Sequence, residues 1–268
     1  FVTVTVPETG KLGPSTSTVN RIFRYDGNYA SALGAGVNGE IAAIRPFQGH
    51  VVVGGAFTEV YPWRGGAIPT GGLALWNPVS EKWNNMPGLP TSTFPGVVMA
   101  LAALDDILVV GGKFDRFSAS TKDFRGLAIY NGSSHKWSSV GTGVFGGHVL
   151  ALALNCTALD SAADVKATTD KKEHGNGTNI SLGTCRSEIC LKCRKDQSDM
   201  LACDASKLVY VGGTFSRAGE REARGIAMWD GSDWSSIGNL DGEVHALSLL
   251  SGWLYVGGTF TGVQFGQI

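Results

Sequence analysis

The chain has 268 residues, of which 38 are glycine and only 17% are charged. Its 22 basic and 23 acidic side chains give a net charge of −1, which argues against a surface that holds nucleic acid or an anionic membrane by long-range electrostatics. No run reaches the roughly 18 apolar residues of a membrane-spanning helix, and the chain opens on Phe1 without a charged-then-apolar signal segment, so we expect a processed or excised chain.

Residues 1–20 form a lead-in segment, in which Pro14 and the Ser/Thr run after it are typical of a flexible or O-glycosylated stretch. From residue 21 to residue 268 the sequence is periodic. A β-branched run followed by Val-Gly-Gly-x-Phe occurs four times, over 53–57, 110–114, 211–215 and 256–260. The paired glycines predict a close backbone approach or a β-bulge at the same place in every repeat.

A second phrase, Gly-Leu/Ile-Ala-x-aromatic-Asn/Asp, begins at Gly72, Gly126 and Gly225, with a degenerate copy over 22–27. An aromatic residue and a short apolar stretch follow each copy. Every period therefore holds four short apolar segments separated by glycine, Asn-Gly or Asp-Gly, which is the composition of four antiparallel strands joined by tight turns. Asp26-Gly27, Asn131-Gly132 and Asp230-Gly231 are expected to supply the positive backbone angles of these hairpins.

Equivalent aromatic anchors in every unit favour radial packing, so the sequence predicts an all-β protein, a β-propeller of four-stranded blades, over a β-solenoid. We expect the anchors to lie in the core: Tyr25, Trp76, Tyr130 and Trp229. The chain begins with the third and fourth strands of a unit (22–34), continues through three whole units and ends with the first and second strands (244–260). It is therefore either a ring of about four blades, whose last strands pair with the first, or a slice of a larger propeller.

The unit VGGxF…GIAxWDG…W…G…V.AL resembles the kelch-like, galactose-oxidase-type propeller repeats of large cell-surface proteins, including fungal cortical polarity markers. The resemblance covers the chain from residue 21 onward, except for about 155–205. It implies an extracellular scaffold or adhesion module without catalytic activity.

A cysteine-rich insertion over 156–203 interrupts the third unit and holds all five cysteines. Cys156 and Cys203 stand at its two ends, where adjacent strands should meet, and a disulfide between them would stabilise the fold by about 4 kcal/mol. Cys185, Cys190 and Cys193 could then form one internal disulfide and leave one thiol. Zinc binding by the C-x-x-C of Cys190 and Cys193 and free thiols stay open as alternatives, although a zinc site needs a second ligand pair at a regular spacing.

Four N-x-Ser/Thr sequons are candidate N-glycosylation sites, one in a predicted hairpin turn and three in or beside the insertion: Asn131, Asn155, Asn176 and Asn179. Together with the disulfide candidates, they indicate an extracellular or cell-surface protein that carries N-linked glycans.

No residue pattern nominates a catalytic, cofactor-binding or metal site. The segments 34–39 and 141–146 match G-x-G-x-x-G but occupy the same slot of a β repeat, so they predict turns between strands. We therefore expect a non-enzymatic structural or adhesive module whose partners are its own copies or neighbouring subunits of a surface assembly, filament or matrix. The alternatives are a carbohydrate- or protein-binding propeller and, with least support, a kelch-type oxidase or glycosidase.

Overall fold

The structure of the chain is a computed structural model that describes residues 3–5, 16–18, 20–89, 96–115, 123–156 and 207–265. Within those ranges every regular element is a β-strand, which confirms the predicted all-β class. Six of the sequence predictions lie outside the described residues: those for Asn176, Asn179, Cys185, Cys190, Cys193 and Cys203.

The strands are numbered here in chain order. They are β1 (Thr3–Thr5), β2 (Thr16–Thr18), β3 (Phe23–Tyr25), β4 (Ala30–Ala32), β5 (Gly36–Val37), β6 (Glu40–Phe47), β7 (His50–Ala56), β8 (Glu59–Tyr61), β9 (Ile68–Pro69), β10 (Leu73–Asn77), β11 (Lys82–Asn85), β12 (Val97–Leu104), β13 (Ile107–Lys113), β14 (Leu127–Asn131), β15 (Lys136–Ser139), β16 (Val144–Phe145), β17 (Val149–Cys156), β18 (Lys207–Gly213), β19 (Arg217–Ala218), β20 (Arg221–Glu222), β21 (Ile226–Trp229), β22 (Trp234–Ser236), β23 (Asn239–Leu240), β24 (Val244–Leu250), β25 (Trp253–Gly258) and β26 (Val263–Gln264).

Three complete four-stranded antiparallel sheets carry the repeat. Sheet I has the order β6-β7-β10-β11, sheet II β12-β13-β14-β15 and sheet III β17-β18-β21-β22. Two partial sheets flank them: the leading half-sheet β3-β4 and the trailing half-sheet β24-β25. The predicted phase of the repeat is confirmed, because the first partial sheet corresponds to the last two strands of a unit and the second to the first two.

The sheets pack face to face in one row. Separate apolar clusters join the leading half-sheet to sheet I, sheet I to sheet II, sheet II to sheet III, and sheet III to the trailing half-sheet. The first strands of successive sheets, β6, β12, β17 and β24, lie beside one another. Among the described residues the leading and trailing half-sheets remain separate sheets, so the pairing of the last strands with the first is absent there.

The Val-Gly-Gly phrase lets adjacent sheets approach closely. A Cβ atom on Gly111 would lie 2.5 Å from Cγ1 of Val149, on the first strand of the next sheet. The second glycine, Gly112, lies against the carbonyl of Val97, where β12 has a bulge between Val98 and Ala100. The predicted close approach and bulge are therefore both present. The same arrangement recurs in sheets I and III.

Cross-strand aromatic pairs connect the third and fourth strands. The ring centroids are 5.1 Å apart for Trp76 and Trp83, and 5.3 Å apart for Trp229 and Trp234. Trp76 and Tyr130 are each only 2% exposed, and Trp229 packs half-buried against the core, in agreement with the prediction. The prediction for Tyr25 is wrong: it is 65% exposed, because among the described residues no preceding sheet packs on its face of the leading half-sheet.

The hairpin turns after the third strands share one hydrogen-bond pattern. The Oδ1 atom of an Asp or Asn accepts backbone N–H groups two or three residues later, as Asp230 does from Ser232 and Asp233, both at 2.8 Å. Gly27 and Gly231 have the positive φ that the sequence predicts. Gly132 does not, because its turn is longer and His135 takes the left-handed conformation with a φ of 54°.

Candidate interaction surfaces

The predicted modification and disulfide sites that the structure describes lie at strand ends. Cys156 is the last residue of β17 and stands opposite Lys207 of β18, so the two strands that flank the insertion are adjacent, as expected. Asn155 lies opposite Leu208 and is half-buried. Asn131 accepts the N–H of Ser134 at 2.8 Å and donates from Nδ2 to Asp106 at 3.4 Å. A glycan on Asn131 would be attached to this same Nδ2 atom and would replace one of its two hydrogens.

The two G-x-G-x-x-G segments are connections between strands, as predicted. Each turns through glycines of positive φ, such as Gly34 and Gly141, and continues into a two-residue strand, β5 or β16. Across the described residues, no group of three or more His, Cys, Asp or Glu side chains is placed to hold a metal ion.

Large apolar side chains are exposed at the two ends of the row of sheets. Nine of the eleven exposed large apolar residues in the described ranges belong to the end elements or to the outer face of sheet I. At the leading end they are Phe23, Tyr25, Tyr29 and Ile44, and at the trailing end Leu250, Trp253, Tyr255, Val263 and Phe265. Such a concentration is typical of a surface that is covered by a partner.

The trailing half-sheet has one buried face and one open face. Leu254 and Val256 pack against sheet III, whereas the alternate residues Trp253 and Tyr255 are 71% and 55% exposed on the opposite face. Gly257 holds the position of Gly111 in the repeat, yet a Cβ atom there would meet only Cβ of Ala246, at 3.8 Å. In the complete sheets this position contacts a valine of the next sheet, whereas in the trailing half-sheet it is open.

At the leading end, apolar residues whose counterparts are buried in the other sheets are exposed. Ile44 follows the bulge of β6 and is 52% exposed, whereas its counterparts Leu101 and Leu152 are 4% and 7% exposed. Ile22 is buried against sheet I, so Phe23 and Tyr25, on the other face of β3, have no sheet to pack on among the described residues.

A second surface is a groove between sheets II and III, at the edge formed by β16 and β19. Two guanidinium groups face the ring of Phe145: Cζ of Arg125 lies 4.5 Å and Cζ of Arg217 4.9 Å from its centroid. Three adjoining clefts of about 390, 500 and 630 Å³ share these residues or their neighbours Thr142 and Glu220. Carboxylates also line the groove, so it presents both donors and acceptors of hydrogen bonds.

Trp234 lines the same groove and has a buried donor without a partner. The residue is 5% exposed, and among the described residues its Nε1 atom has no hydrogen-bond partner. Its counterpart in sheet I, Trp83, donates to the carbonyl of Leu33 at 2.8 Å. A buried N–H without a partner is costly, but this Nε1 atom is closed to solvent and is therefore out of reach of a ligand in the cleft.

The carboxylates with a shifted pKa lie in turns and act as hydrogen-bond acceptors. The hydroxyl of Thr261 donates to Asp241 and, together with the backbone N–H groups of Gly262 and Thr261, lowers the pKa of Asp241 to about 2. Backbone N–H groups of Asp233 and Ser232 lower the pKa of Asp230 in the same way. These carboxylates stabilise turns as acceptors of hydrogen bonds.

Sequence reasoning missed both surfaces. The exposed ends depend on which sheets lack a neighbour, and Arg125, Phe145 and Arg217 come from three separate connections. The repeat alone could have drawn attention to this surface, since Phe145 lies in one of the predicted turns between strands.

No long apolar helix that could cross a bilayer occurs in the described ranges. No protein-family model matches the chain, and no curated protein matches it either.

Proposed function

We propose that the chain is a non-enzymatic structural or adhesive module, of the β-propeller type, that joins neighbouring subunits in an extracellular assembly. One observation carries the proposal: the exposed large apolar side chains are concentrated at the two open ends of the row of sheets. A monomer that displayed both ends to water would leave unpaired strand edges and apolar faces uncovered, which favours association.

Support for the propeller comes from the row itself. Four-stranded antiparallel sheets pack face to face with their first strands adjacent, which is the arrangement of neighbouring blades. The resemblance to kelch-like repeats of surface proteins agrees with this architecture. The candidate disulfides and sequons favour an oxidising, extracellular location with N-linked glycans.

Sedimentation velocity over a hundredfold range of concentration tests the association. We expect the wild-type protein to form larger species as concentration rises, and Trp253→Ser to shift it toward the monomer. Val79→Ser is the matched control, because Val79 is 91% exposed but belongs to neither half-sheet. A protein that stays monomeric throughout, with no ordered contacts under the electron microscope, overturns the proposal.

Intact mass tests the compartment. After secretion from a eukaryotic host we expect the mass to fall on enzymatic deglycosylation, and alkylation to reveal more thiols after reduction than before it. A mass that neither treatment changes argues for an intracellular protein.

The groove at Phe145 favours a second candidate function, the binding of carbohydrate. Its guanidinium groups can donate hydrogen bonds to sugar hydroxyls, and its carboxylates can accept hydrogen bonds from them. A glycan array should give signals that Arg217→Ala removes and that Arg64→Ala, in the exposed loop between β8 and β9, leaves intact. An array without signals for the folded wild-type protein contradicts this candidate.

A further inference from the structure

We infer that the trailing half-sheet of one copy is completed by the leading half-sheet of a second copy, so that β25 pairs with β3 of its neighbour in an antiparallel, shared four-stranded sheet. This inference rests on the proposed function and names the partner and the contacts. The partner is a second copy because, among the described residues, the trailing half-sheet lacks the third and fourth strands of a unit and the leading half-sheet consists of those two strands.

The interface already exists three times within the chain. In each complete sheet the second strand pairs with the third. The residue two positions before the first glycine of the Val-Gly-Gly phrase lies opposite the residue immediately before the aromatic anchor of the third strand. These partners are Val52 with Leu75, Val109 with Ile129 and Tyr210 with Met228. The same register places Tyr255 of one copy opposite Arg24 of the next.

The edge of β25 has none of the features that block strand pairing. Its six residues, Trp253–Gly258, include no charged side chain and no proline. Exposed edges are usually protected by such residues, so an edge without them is suited to pairing with a further strand. On the other partner, no described strand lies on the outer side of β3.

The faces are complementary as well as the edges. Phe23 and Tyr25 would lie on the face of the shared sheet that packs toward sheet III of the first copy. Trp253 and Tyr255 would lie on the face that packs toward sheet I of the second copy. Each exposed apolar group thus meets a sheet, as its counterparts within the chain do.

A third contact follows from the same docking. Because Ile22 and Leu33 pack on sheet I, the leading half-sheet and sheet I of the second copy would dock on the first copy as one unit. The counterpart of this contact lies within one chain, where Cγ1 of Val149 and Cδ1 of Leu152 would lie 2.5 and 3.1 Å from a Cβ atom on Gly111. The equivalent residues Ile41 and Ile44 of the second copy would pack against Gly257 of the first, in the space that is open in one copy.

Cysteine cross-linking tests the register. Tyr255→Cys and Arg24→Cys proteins are mixed in equal amounts and oxidised, and the cross-linked peptides are identified by mass spectrometry. Directly opposed residues on antiparallel strands lie within the Cα separation of a disulfide. The native cysteines all lie within 156–203 and give different peptides. We expect a dimer joined through positions 24 and 255, and none when Leu254→Cys, which faces the other way, replaces Tyr255→Cys.

Gly257→Val tests the third contact without disturbing the single copy, since a Cβ atom there meets only Ala246 at 3.8 Å. We expect the dissociation constant to rise by about tenfold or more while the melting temperature of the monomer is unchanged. Gly66→Val, at an exposed position with open space, is the control and should leave both quantities unchanged.

The outcomes separate the inference from the proposed function. Wild-type association without the 24–255 cross-link leaves the proposed function standing and overturns the inference. A disulfide within one chain of the Tyr255→Cys/Arg24→Cys double variant overturns it too, because the ends would then close on themselves. A wild-type protein that is monomeric at every concentration overturns both.

Discussion

The indole nitrogen of Trp83 donates a hydrogen bond of 2.8 Å to the carbonyl oxygen of Leu33, fifty residues earlier in the chain. Trp137 donates in the same way to Pro87, also fifty residues earlier, at 2.9 Å. Both bonds tie a sheet to the turn that ends the preceding one, so they hold successive repeats in a fixed relation.

Trp83→Phe should destabilise the protein by about 1–3 kcal/mol, because the carbonyl of Leu33 loses its donor at a buried site and the smaller ring leaves space. Urea denaturation with a fluorescence or circular dichroism readout measures the change. Trp63→Phe is the control: Trp63 is 53% exposed, and its substitution should change the free energy of unfolding by less than about 0.5 kcal/mol. Equal effects of the two substitutions would refute the role of the bond.

Gly111→Ala should cost at least about 1–3 kcal/mol, because the new Cβ atom would lie 2.5 Å from Val149 and the two sheets would have to separate. Thermal unfolding measures this as a lower melting temperature. Gly66→Ala, where a Cβ atom meets nothing within 4 Å, should leave the melting temperature unchanged or raise it slightly. A Gly111→Ala protein as stable as wild type would contradict the close packing of the sheets.

Asp230→Ala should destabilise the turn between β21 and β22 by about 0.5–1.5 kcal/mol, because two backbone N–H groups lose their acceptor. Asp230→Asn keeps that acceptor, and Asn77 serves the same purpose in sheet I, where it accepts from Val79 and Ser80 at 2.9 Å. We therefore expect the asparagine variant to retain most of the stability. Urea titrations of both variants decide it, and identical losses would argue against the hydrogen bonds.

The stability of the trailing end should depend on pH through Asp241. Hydrogen bonds from Thr261 and Gly262 favour its carboxylate and lower its pKa from 3.8 to about 2 in the folded state. A lowered pKa stabilises the fold above the ordinary pKa, and the contribution is lost as pH falls from about 4 through 2. Relative to Asp241→Asn, the wild-type protein should therefore lose stability in that window.

Titration of the Asp241 carboxyl by NMR measures this pKa directly. Thr261→Val removes the hydroxyl donor and should move the pKa of Asp241 back toward 3.8. A normal pKa of Asp241 in the wild-type protein would contradict the hydrogen-bonding geometry of this turn.

The repeat made most of the fold predictable, because local chemistry recurs with it. Val-Gly-Gly marks strands that another sheet approaches closely, as Gly111 shows against Val149. Turn chemistry was less reliable: Asn131-Gly132 looks like a two-residue hairpin, but the longer turn places the positive φ on His135.

The interaction surfaces could not be predicted because they depend on neighbours distant in the chain. Tyr25 has the sequence context of Trp76 and Tyr130, and it is exposed because no preceding sheet packs on its face of β3 among the described residues. The three residues around the Phe145 ring come from separate connections, and no short motif joins Arg125 to Arg217.

The two half-sheets differ from each other, and this difference gives any chain of copies a direction. One terminus of such a polymer always displays Trp253 and Tyr255, and the other always displays Phe23 and Tyr25. If copies polymerise as inferred, the two termini should therefore elongate at different rates. A copy disabled at one end, such as Gly257→Val, should cap growth at one terminus only.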